Sequence, residues 1–227
     1  MKTILTPRIK ICCIQNVEEA WLAIKYGASA LGLVSEMPSG PGVISEELIA
    51  EIANVVPPGV STFLLTSKQD TTAIITQQRR CRVNTIQIVD RLQSGGYAEL
   101  RAALPGIAIV QVIHVTCKAS LREAESIAPQ VDAILLDSGN PNLAVKELGG
   151  TGRTHNWSLS KTIRECVGVP IYLAGGLTPD NVAEAIRKIG PFGLDVCSGV
   201  RTNGKLDASK LAAFFAQVRL ETENAKV

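Results

Sequence analysis

The chain has 227 residues, carries a formal net charge of +2, and is 46% hydrophobic but only 4% aromatic. This length suits one large α/β domain or two small ones, with a core built mainly from Ile, Val, Leu and Ala. The small net charge argues against nucleic acid or an acidic membrane surface as a partner.

The cysteine pattern and the lengths of the apolar runs predict the cellular compartment. No C-x-x-C pair occurs among the six cysteines, and only two histidines are present, so neither a zinc site nor a disulfide framework is indicated. No apolar run reaches 18 residues, which argues against a membrane span, and no leader segment is apparent. We therefore expect a cytoplasmic protein with reduced thiols and no metal.

Short β-branched runs alternate with segments of helical period along the whole chain. The predicted strands are Arg8–Cys13, Ala30–Val34, Ser61–Leu65, Val83–Ile88, Ile107–Val112, Val131–Leu136, Val169–Leu173 and Leu194–Val196. The predicted helices are Val17–Tyr26, Glu46–Asn54, Asp70–Arg80, Tyr97–Ala103, Ser120–Ile127, Leu159–Glu165, Pro179–Lys188 and Ala208–Val218. Helix caps are expected at Asn16, Ser45 and Thr178, and C-terminal stops at Gly27 and Gly190.

Eight strand–helix units in this length predict an α/β fold of the (β/α)8 barrel type. The alternative is an open doubly wound sheet, which would be unusually wide for the length. No linker or shift in composition divides the chain, so we predict a single domain over residues 1–227, with a tail frayed over residues 220–227.

The alternation of side chains in two strands brings possible catalytic groups together. Ile9 and Ile11 suit the helix-facing side of the first strand, which turns Lys10 and Cys12 into the barrel. In the sixth strand Asp137 shares the inward face, so a thiol and a carboxyl are expected to face one cavity. Cys12 is alternatively an inert buried thiol, Lys10 an ion-pair partner of a buried acid, and Asp137 a helix cap.

Glycine-bearing segments follow the last three predicted strands, where barrels often bind phosphate. Their exposed main-chain N–H groups suit an anion. The expected binding residues are Gly149, Gly150, Thr151 and Gly152, then Ala174, Gly175 and Gly176, and then Ser198, Gly199 and Val200. No G-x-x-x-x-G-K-[ST] motif occurs, so a nucleotide-type phosphate loop is not indicated.

In these blocks, from residue 10 to about residue 207, the chain resembles the phosphoribosylanthranilate isomerases. The resemblance rests on Lys10-Ile11-Cys12, Gly32-Leu33-Val34, Leu135-Leu136-Asp137-Ser138, Gly149-Gly150-Thr151-Gly152-Arg153-Thr154, Trp157, Leu173 to Val182, and Asp195-Val196-Cys197-Ser198-Gly199-Val200. It implies a barrel enzyme of tryptophan biosynthesis that carries out an Amadori rearrangement of a small phosphorylated sugar without metal or organic cofactor.

The resemblance also implies roles and a subunit state. Cys12 would be the general base and Asp137 the general acid, with Lys10 among the substrate-binding residues and the glycine loops on the 5′-phosphate. Acid and base need opposite protonation states near neutral pH. We expect a monomer or a homodimer.

The chain departs from the family pattern at several places. Cys13 follows the catalytic cysteine where the family has glycine, and Gly42 stands where the family has a substrate-contacting arginine. Val89-Asp90 and His155-Asn156 also differ. Recognition of the aromatic acid is therefore expected to be altered, with Arg153 or Arg201 as possible replacements.

Two alternatives remain open beside an isomerase of phosphoribosylanthranilate. One is a divergent isomerase of the same barrel that acts on another phosphorylated sugar. The other is a non-catalytic barrel that binds a phosphate ligand, against which the presence of both an acid and a base argues.

Overall fold

A computed structural model describes residues 6–140, 143, 145–149, 152 and 154–224 of the chain. Eight parallel strands close into a barrel in the order in which they follow one another along the chain. The predicted (β/α)8 barrel is confirmed, and the open sheet is wrong. Strand β1 pairs with β8 as well as with β2, which closes the ring.

The strands and helices follow the predicted order. The strands are β1 Arg8–Ile11, β2 Ala30–Val34, β3 Ser61–Thr66, β4 Thr85–Ile88, β5 Ala108–His114, β6 Ala133–Asp137, β7 Ile171–Leu173, β8 Gly193–Val196, β9 Arg201–Thr202 and β10 Lys205–Leu206. The helices are α1 Val17–Tyr26, α2 Glu46–Val55, α3 Thr71–Cys81, α4 Tyr97–Ala103, α5 Ala119–Ile127, α6 Trp157–Cys166, α7 Val182–Ile189 and α8 Ala208–Asn224, with short 3-10 helices at Ala128–Gln130 and Ser198–Val200.

Most of the predicted helix ends are confirmed, and one is wrong. The side chains of Asn16 and Ser45 accept hydrogen bonds from the first turns of α1 and α2, and Gly27 and Gly190 end their helices in the left-handed conformation. Thr178 does not cap α7, because the chain makes a further turn before that helix begins. Asn181 precedes the helix instead, and its amide bridges back to the Gly176 carbonyl at 2.9 Å.

The end of the chain also differs from the prediction. Residues 220–224, where a frayed tail was predicted, continue helix α8 to Asn224, and residues 225–227 lie outside the described residues. Glu221 and Thr222 are buried against the rest of the molecule, and Glu221 forms an ion pair with Arg187 of α7. These contacts stabilise the polar final turns of α8 in the helical conformation. None of the helices in the described part of the chain is both long and apolar enough to cross a membrane.

Two layers of apolar packing hold the barrel, as the alternation of strand residues predicts. The outer layer, between strands and helices, includes Ile9, Ile11, Ile134 and Leu136. The inner layer fills the barrel and includes Cys12 together with residues of the other strands. Because side chains alternate along each strand, this division turns the polar residues at the strand ends toward the C-terminal mouth of the barrel.

Candidate active site

A cavity opens at the C-terminal mouth of the barrel. The cavity is lined by residues from several strand ends and from the loops after β2 and β6. The lining residues are Cys12, Cys13, Val34, Met37, Ser39, Gly40, Pro41, Leu65, Gln87, Val89, Asp137, Leu148, Gly149, Gly152, Ala174, Gly175, Gly176, Leu177, Asp195, Cys197 and Ser198. This is the face on which barrel enzymes carry their active sites.

Cys12 and Asp137 line this cavity from different sides, as the sequence predicts. Cys12 directly follows β1, and Asp137 is the last residue of β6, three positions away around the closed ring. Both are nearly buried, with 6% and 7% of their surface exposed. A thiol and a carboxyl thus approach one ligand space from opposing walls.

Lys10 lies beneath the floor of the cavity and does not line it. Its side chain is fully buried, and the ammonium forms an ion pair with Asp195 at 2.9 Å and lies 3.6 Å from the sulfur of Cys12. Burial favours the neutral amine, but the charges of Asp195 and Cys12 outweigh it and raise the pKa of Lys10. The predicted contact with substrate is therefore not supported, and the ion-pair alternative describes the position.

Gly32 allows this close grouping of charge and sulfur. A Cβ atom on Gly32 would lie 2.8 Å from the sulfur of Cys12 and 3.0 Å from the ammonium of Lys10. Any larger residue would push one of the two groups aside. The glycine of β2 is thus part of the structure that holds the thiol beside the buried ammonium.

Asp137 occupies a setting that favours its protonated form. Burial raises the pKa of this carboxyl, and the nearby Asp195 charge adds to that effect, while a 2.7 Å bond from the Ser138 main-chain N–H and the His114 charge oppose it. Ser138, Gly139 and Asn140, directly after Asp137, are not helical, and the next helix in the described part of the chain starts at Trp157. The alternative of a helix cap is therefore wrong.

The predicted phosphate-binding segments divide into three groups. Gly149, Gly152, Ala174, Gly175, Gly176 and Ser198 line the cavity. Gly199 packs against the Leu177 carbonyl, where an added Cβ would lie 1.9 Å from the oxygen, and the Val200 side chain is fully buried in the outer layer. Gly150 and Thr151 lie outside the described residues.

The residues that depart from the family pattern differ in where they lie and in what they contact. Gly42 has a φ of +80°, and a Cβ there would lie 2.5 Å from the Cβ of Cys13, so the two departures are in contact with each other. Val89 lines the cavity, whereas Asp90 forms an ion pair with Lys146. The side chain of Asn156 caps α6, so His155-Asn156 stands at the start of a helix.

Of the two predicted replacements for the missing arginine, only Arg201 lies among the described residues. The guanidinium of Arg201 is buried and bonded to Glu19 at 2.9 Å and to the carbonyl of Cys12 at 3.3 Å. It therefore stabilises the end of β1, and it does not line the cavity. Arg153 lies outside the described residues. Among the described residues that line the cavity there is no lysine or arginine.

Two cavity features were not singled out from the sequence. Asp195 is the ion-pair partner of Lys10, and the alternation Leu194-Asp195-Val196 in β8 was a usable signal that it points inward. Cys197 contacts Cys13 across the end of β1 and β8, with 2.8 Å between the sulfur atoms. No sequence signal connects two cysteines so distant along the chain.

Comparison with known proteins gives one consistent result. Residues 9–217 match the family described as N-(5'phosphoribosyl)anthranilate (PRA) isomerase. The sequence is 35% identical over 209 residues to N-(5'-phosphoribosyl)anthranilate isomerase 2 of Methanosarcina mazei, covering 91% of this chain and 92% of that protein. It is 34% identical to the isomerase of Haloferax volcanii, with 93% of each chain covered.

Solved structures agree with the sequence matches. The structure of phosphoribosyl anthranilate isomerase from Thermotoga maritima superposes with a TM-score of 0.77 at 28% identity, over 94% of this chain and 98% of that one. A phosphoribosyl anthranilate isomerase in complex with reduced 1-(o-carboxyphenylamino)-1-deoxyribulose 5-phosphate superposes with a TM-score of 0.74 at 26% identity, over 94% and 98% of the two chains.

Proposed function

Since the chain belongs to the N-(5'-phosphoribosyl)anthranilate isomerase family, it is an isomerase of tryptophan biosynthesis, and we propose that Cys12 and Asp137 carry out its proton transfers. The substrate is N-(5-phosphoribosyl)anthranilate, and the product is 1-(2-carboxyphenylamino)-1-deoxyribulose 5-phosphate. The observation that supports these roles is the placement of a thiol and a carboxyl whose pKa is raised by burial on different sides of one cavity.

Asp137 is the general acid. Burial raises the pKa of this carboxyl, which favours the protonated form that a general acid needs, and the cavity gives the proton a path to the ligand. Asp137 protonates the furanose ring oxygen, the bond from that oxygen to C1′ breaks, and the nitrogen lone pair forms the C1′ iminium. The positive nitrogen then serves as the electron sink.

Cys12 is the general base. Its thiolate removes the C2′ proton, and the C–H electron pair forms a C1′–C2′ double bond while the iminium becomes an amine. The resulting enaminol loses the proton of its 2′-hydroxyl and gains one at C1′, which leaves the ketone. Carbon C1′ is reduced and C2′ oxidised within one molecule, so this step sequence calls for no outside redox partner or metal.

The pair Lys10–Asp195 positions the base. The ammonium is fully buried, lies 3.6 Å from the sulfur of Cys12 and offers it a nearby positive charge. Asp195 holds the ammonium from the other side at 2.9 Å. We assign Lys10 as a positioning residue, since it touches the base and not the cavity.

The 5′-phosphate is bound at the side of the mouth formed by β7 and β8. Gly175 and Gly176 follow β7 with φ angles of +84° and +61°, and Ser198 follows β8, all three at the cavity surface. Main-chain N–H groups and a hydroxyl are good partners for a phosphate dianion. With the phosphate there, the sugar lies between Cys12 and Asp137, which line the same cavity.

The experiment is an isomerisation assay that follows the loss of anthranilate fluorescence from freshly made substrate. Cys12→Ser and Asp137→Asn should each lower kcat by roughly 10²- to 10⁴-fold while binding of a phosphate-bearing product analogue persists. Cys117→Ser, at an exposed thiol, and Asp132→Asn, at the other end of the Asp137 strand, are matched controls that should retain turnover. Wild-type protein that binds the analogue but never turns over would contradict the proposal and favour a non-catalytic barrel.

A second candidate is an isomerase of another phosphorylated sugar amine. The observation in its favour is that the described lining contains no cationic side chain where the substrate would carry its aromatic carboxylate. A charged hydrogen bond to a carboxylate is worth about 1.5–3 kcal/mol. Comparing kcat/KM for phosphoribosylanthranilate and its counterpart without the carboxylate distinguishes the two, because a preference for the latter supports the second candidate.

A further inference from the structure

A second pair of thiols lies at the mouth of the barrel, beside the proposed base. Cys13 follows Cys12 at the end of β1, and Cys197 follows β8, the strand that pairs with β1. Their sulfur atoms are 2.8 Å apart, and both residues line the cavity. Neither thiol has a part in the proton transfers assigned to Cys12 and Asp137.

The backbone holds these two sulfur atoms together. The main-chain N–H of Cys12 donates to the Val196 carbonyl at 2.9 Å, which fixes the end of β1 against the end of β8. Cys13 itself has a φ of +61°, a conformation that most residues avoid, and its carbonyl accepts from the buried guanidinium of Arg201. The close approach of the sulfur atoms is thus built into the barrel closure and does not depend on a surface loop.

The two thiols differ in exposure and in the direction in which their surroundings shift the pKa. The hydrogen bond between Cys197 and Cys13 lowers the pKa of Cys197, and the Arg201 charge acts in the same direction against the effect of burial. Hydrogen bonds with Cys12 and Cys197, together with burial, raise the pKa of Cys13. Cys197 is also the more exposed of the two. A more accessible thiol with a lowered pKa, in contact with a buried thiol whose pKa is raised, suits an attacking and a resolving cysteine.

We propose that Cys13 and Cys197 form a reversible disulfide when a small hydroperoxide enters the cavity. The Cys197 thiolate attacks the peroxide and releases hydroxide or alkoxide, which leaves a sulfenic acid. The Cys13 thiol then attacks that sulfur, the S–O bond breaks, and water leaves. Two thiols are oxidised to one disulfide while one peroxide is reduced, and an external dithiol reverses the change.

Cys12 is not the partner in this bond. Consecutive Cα atoms are about 3.8 Å apart, whereas disulfides need about 4.4–6.8 Å between Cα atoms, so a bond between Cys12 and Cys13 is strained. The pair Cys13–Cys197 comes from neighbouring strands and needs its sulfur atoms to move from 2.8 Å to the bond length of about 2.05 Å. That movement shifts the wall next to Cys12, and on the proposed function it should lower turnover about tenfold or more.

Peptide mapping tests the bond without reference to activity. The full chain with both exposed cysteines replaced, Cys117→Ser and Cys166→Ser, is treated with equimolar hydrogen peroxide, blocked with iodoacetamide and digested with trypsin without reduction. Cys12 and Cys13 then lie in the peptide of residues 11–25, and Cys197 in that of residues 189–201. We expect these two peptides joined through residue 13, located by fragmentation between residues 12 and 13.

Three variants sharpen the result. Cys13→Ala and Cys197→Ala should each abolish the cross-link, and Cys12→Ser should retain it. A link through Cys12, or oxidation of Cys12 with both other thiols still open to iodoacetamide, would overturn the proposal. Full cross-linking with unchanged turnover would overturn the claim that the disulfide lowers activity. A reduced protein that is inactive but still forms the link contradicts only the proposed function.

Discussion

The contact between Gly42 and Cys13 makes a quantitative prediction about stability. Gly42→Ala adds one methyl group at a φ of +80°, with its carbon 2.5 Å from the Cβ of Cys13 and 3.1 Å from the sulfur. The left-handed backbone costs a non-glycine residue about 1–2 kcal/mol. Crowding a packed site adds about 1–3 kcal/mol. We therefore expect the variant to lose about 2–5 kcal/mol of unfolding free energy.

Two further variants separate these contributions. Gly59→Ala is the control for the backbone alone, because Gly59 has a φ of +94° and no heavy atom lies within 4 Å of an added Cβ. It should lose only about 1–2 kcal/mol. In a Cys13→Gly background the Cβ and the sulfur are gone, while the main chain of residue 13 still lies 3.0 Å from the added methyl carbon. There, Gly42→Ala should be milder than in the wild type by about 1–2 kcal/mol.

Urea unfolding, followed by circular dichroism and by fluorescence, measures each free energy, and agreement between the two probes supports a two-state analysis. The coupling energy follows from the four proteins of the cycle. Gly42→Ala with the same cost in both backgrounds, or no worse than Gly59→Ala, would refute the claim that Cys13 fills the space next to residue 42.

Three other results are expected. Lys10→Met leaves the Asp195 carboxyl buried without its partner, so it should lower the unfolding free energy by about 3–5 kcal/mol. In urea unfolding, the double variant Lys10→Met/Asp195→Asn should lose less unfolding free energy than the sum of the losses in the two single variants. Because burial raises the folded-state pKa of Asp137 above its unfolded value, its ionisation weakens the fold as pH rises past about 4. Asp137→Asn should therefore stabilise the protein at pH 7 and lose that advantage at pH 3; equal effects at both pH values would contradict the assignment. Burial lowers the pKa of His155 to about 4, so stability should fall by about 3 kcal/mol as pH drops from 6.5 to 4, and a His155→Gln protein with the same loss would exclude this cause.

The sequence predicts much of the barrel because local patterns determine it. Period-two alternation places Ile9 and Ile11 outward and Cys12 inward, and the structure agrees, since only the outer face of β1 meets helices. The cap at Asn16 is similarly local: its side chain reaches a main-chain N–H three residues on, at 2.8 Å. Such contacts involve neighbours along the chain, which are visible in the sequence.

The remaining features depend on contacts between distant parts of the chain. The partner of Lys10 is Asp195, and only the register in which β1 meets β8 brings them together. The helical end of the chain likewise depends on the ion pair of Glu221 with Arg187 on the neighbouring helix. The sequence does not predict the role of Gly42, because that role depends on the side chain of Cys13, which comes close only once the barrel closes.

The most direct measurement is a crystal structure with reduced 1-(o-carboxyphenylamino)-1-deoxyribulose 5-phosphate, the compound bound in a similar isomerase. We expect its phosphate on the main chain of Gly175, Gly176 and Ser198. The sulfur of Cys12 should face C2′, and an oxygen of Asp137 should lie on the other side of the sugar, toward the ring-derived hydroxyl. A ligand with its phosphate at another part of the mouth, or with both groups on one side of the sugar, would contradict the proposed proton transfers.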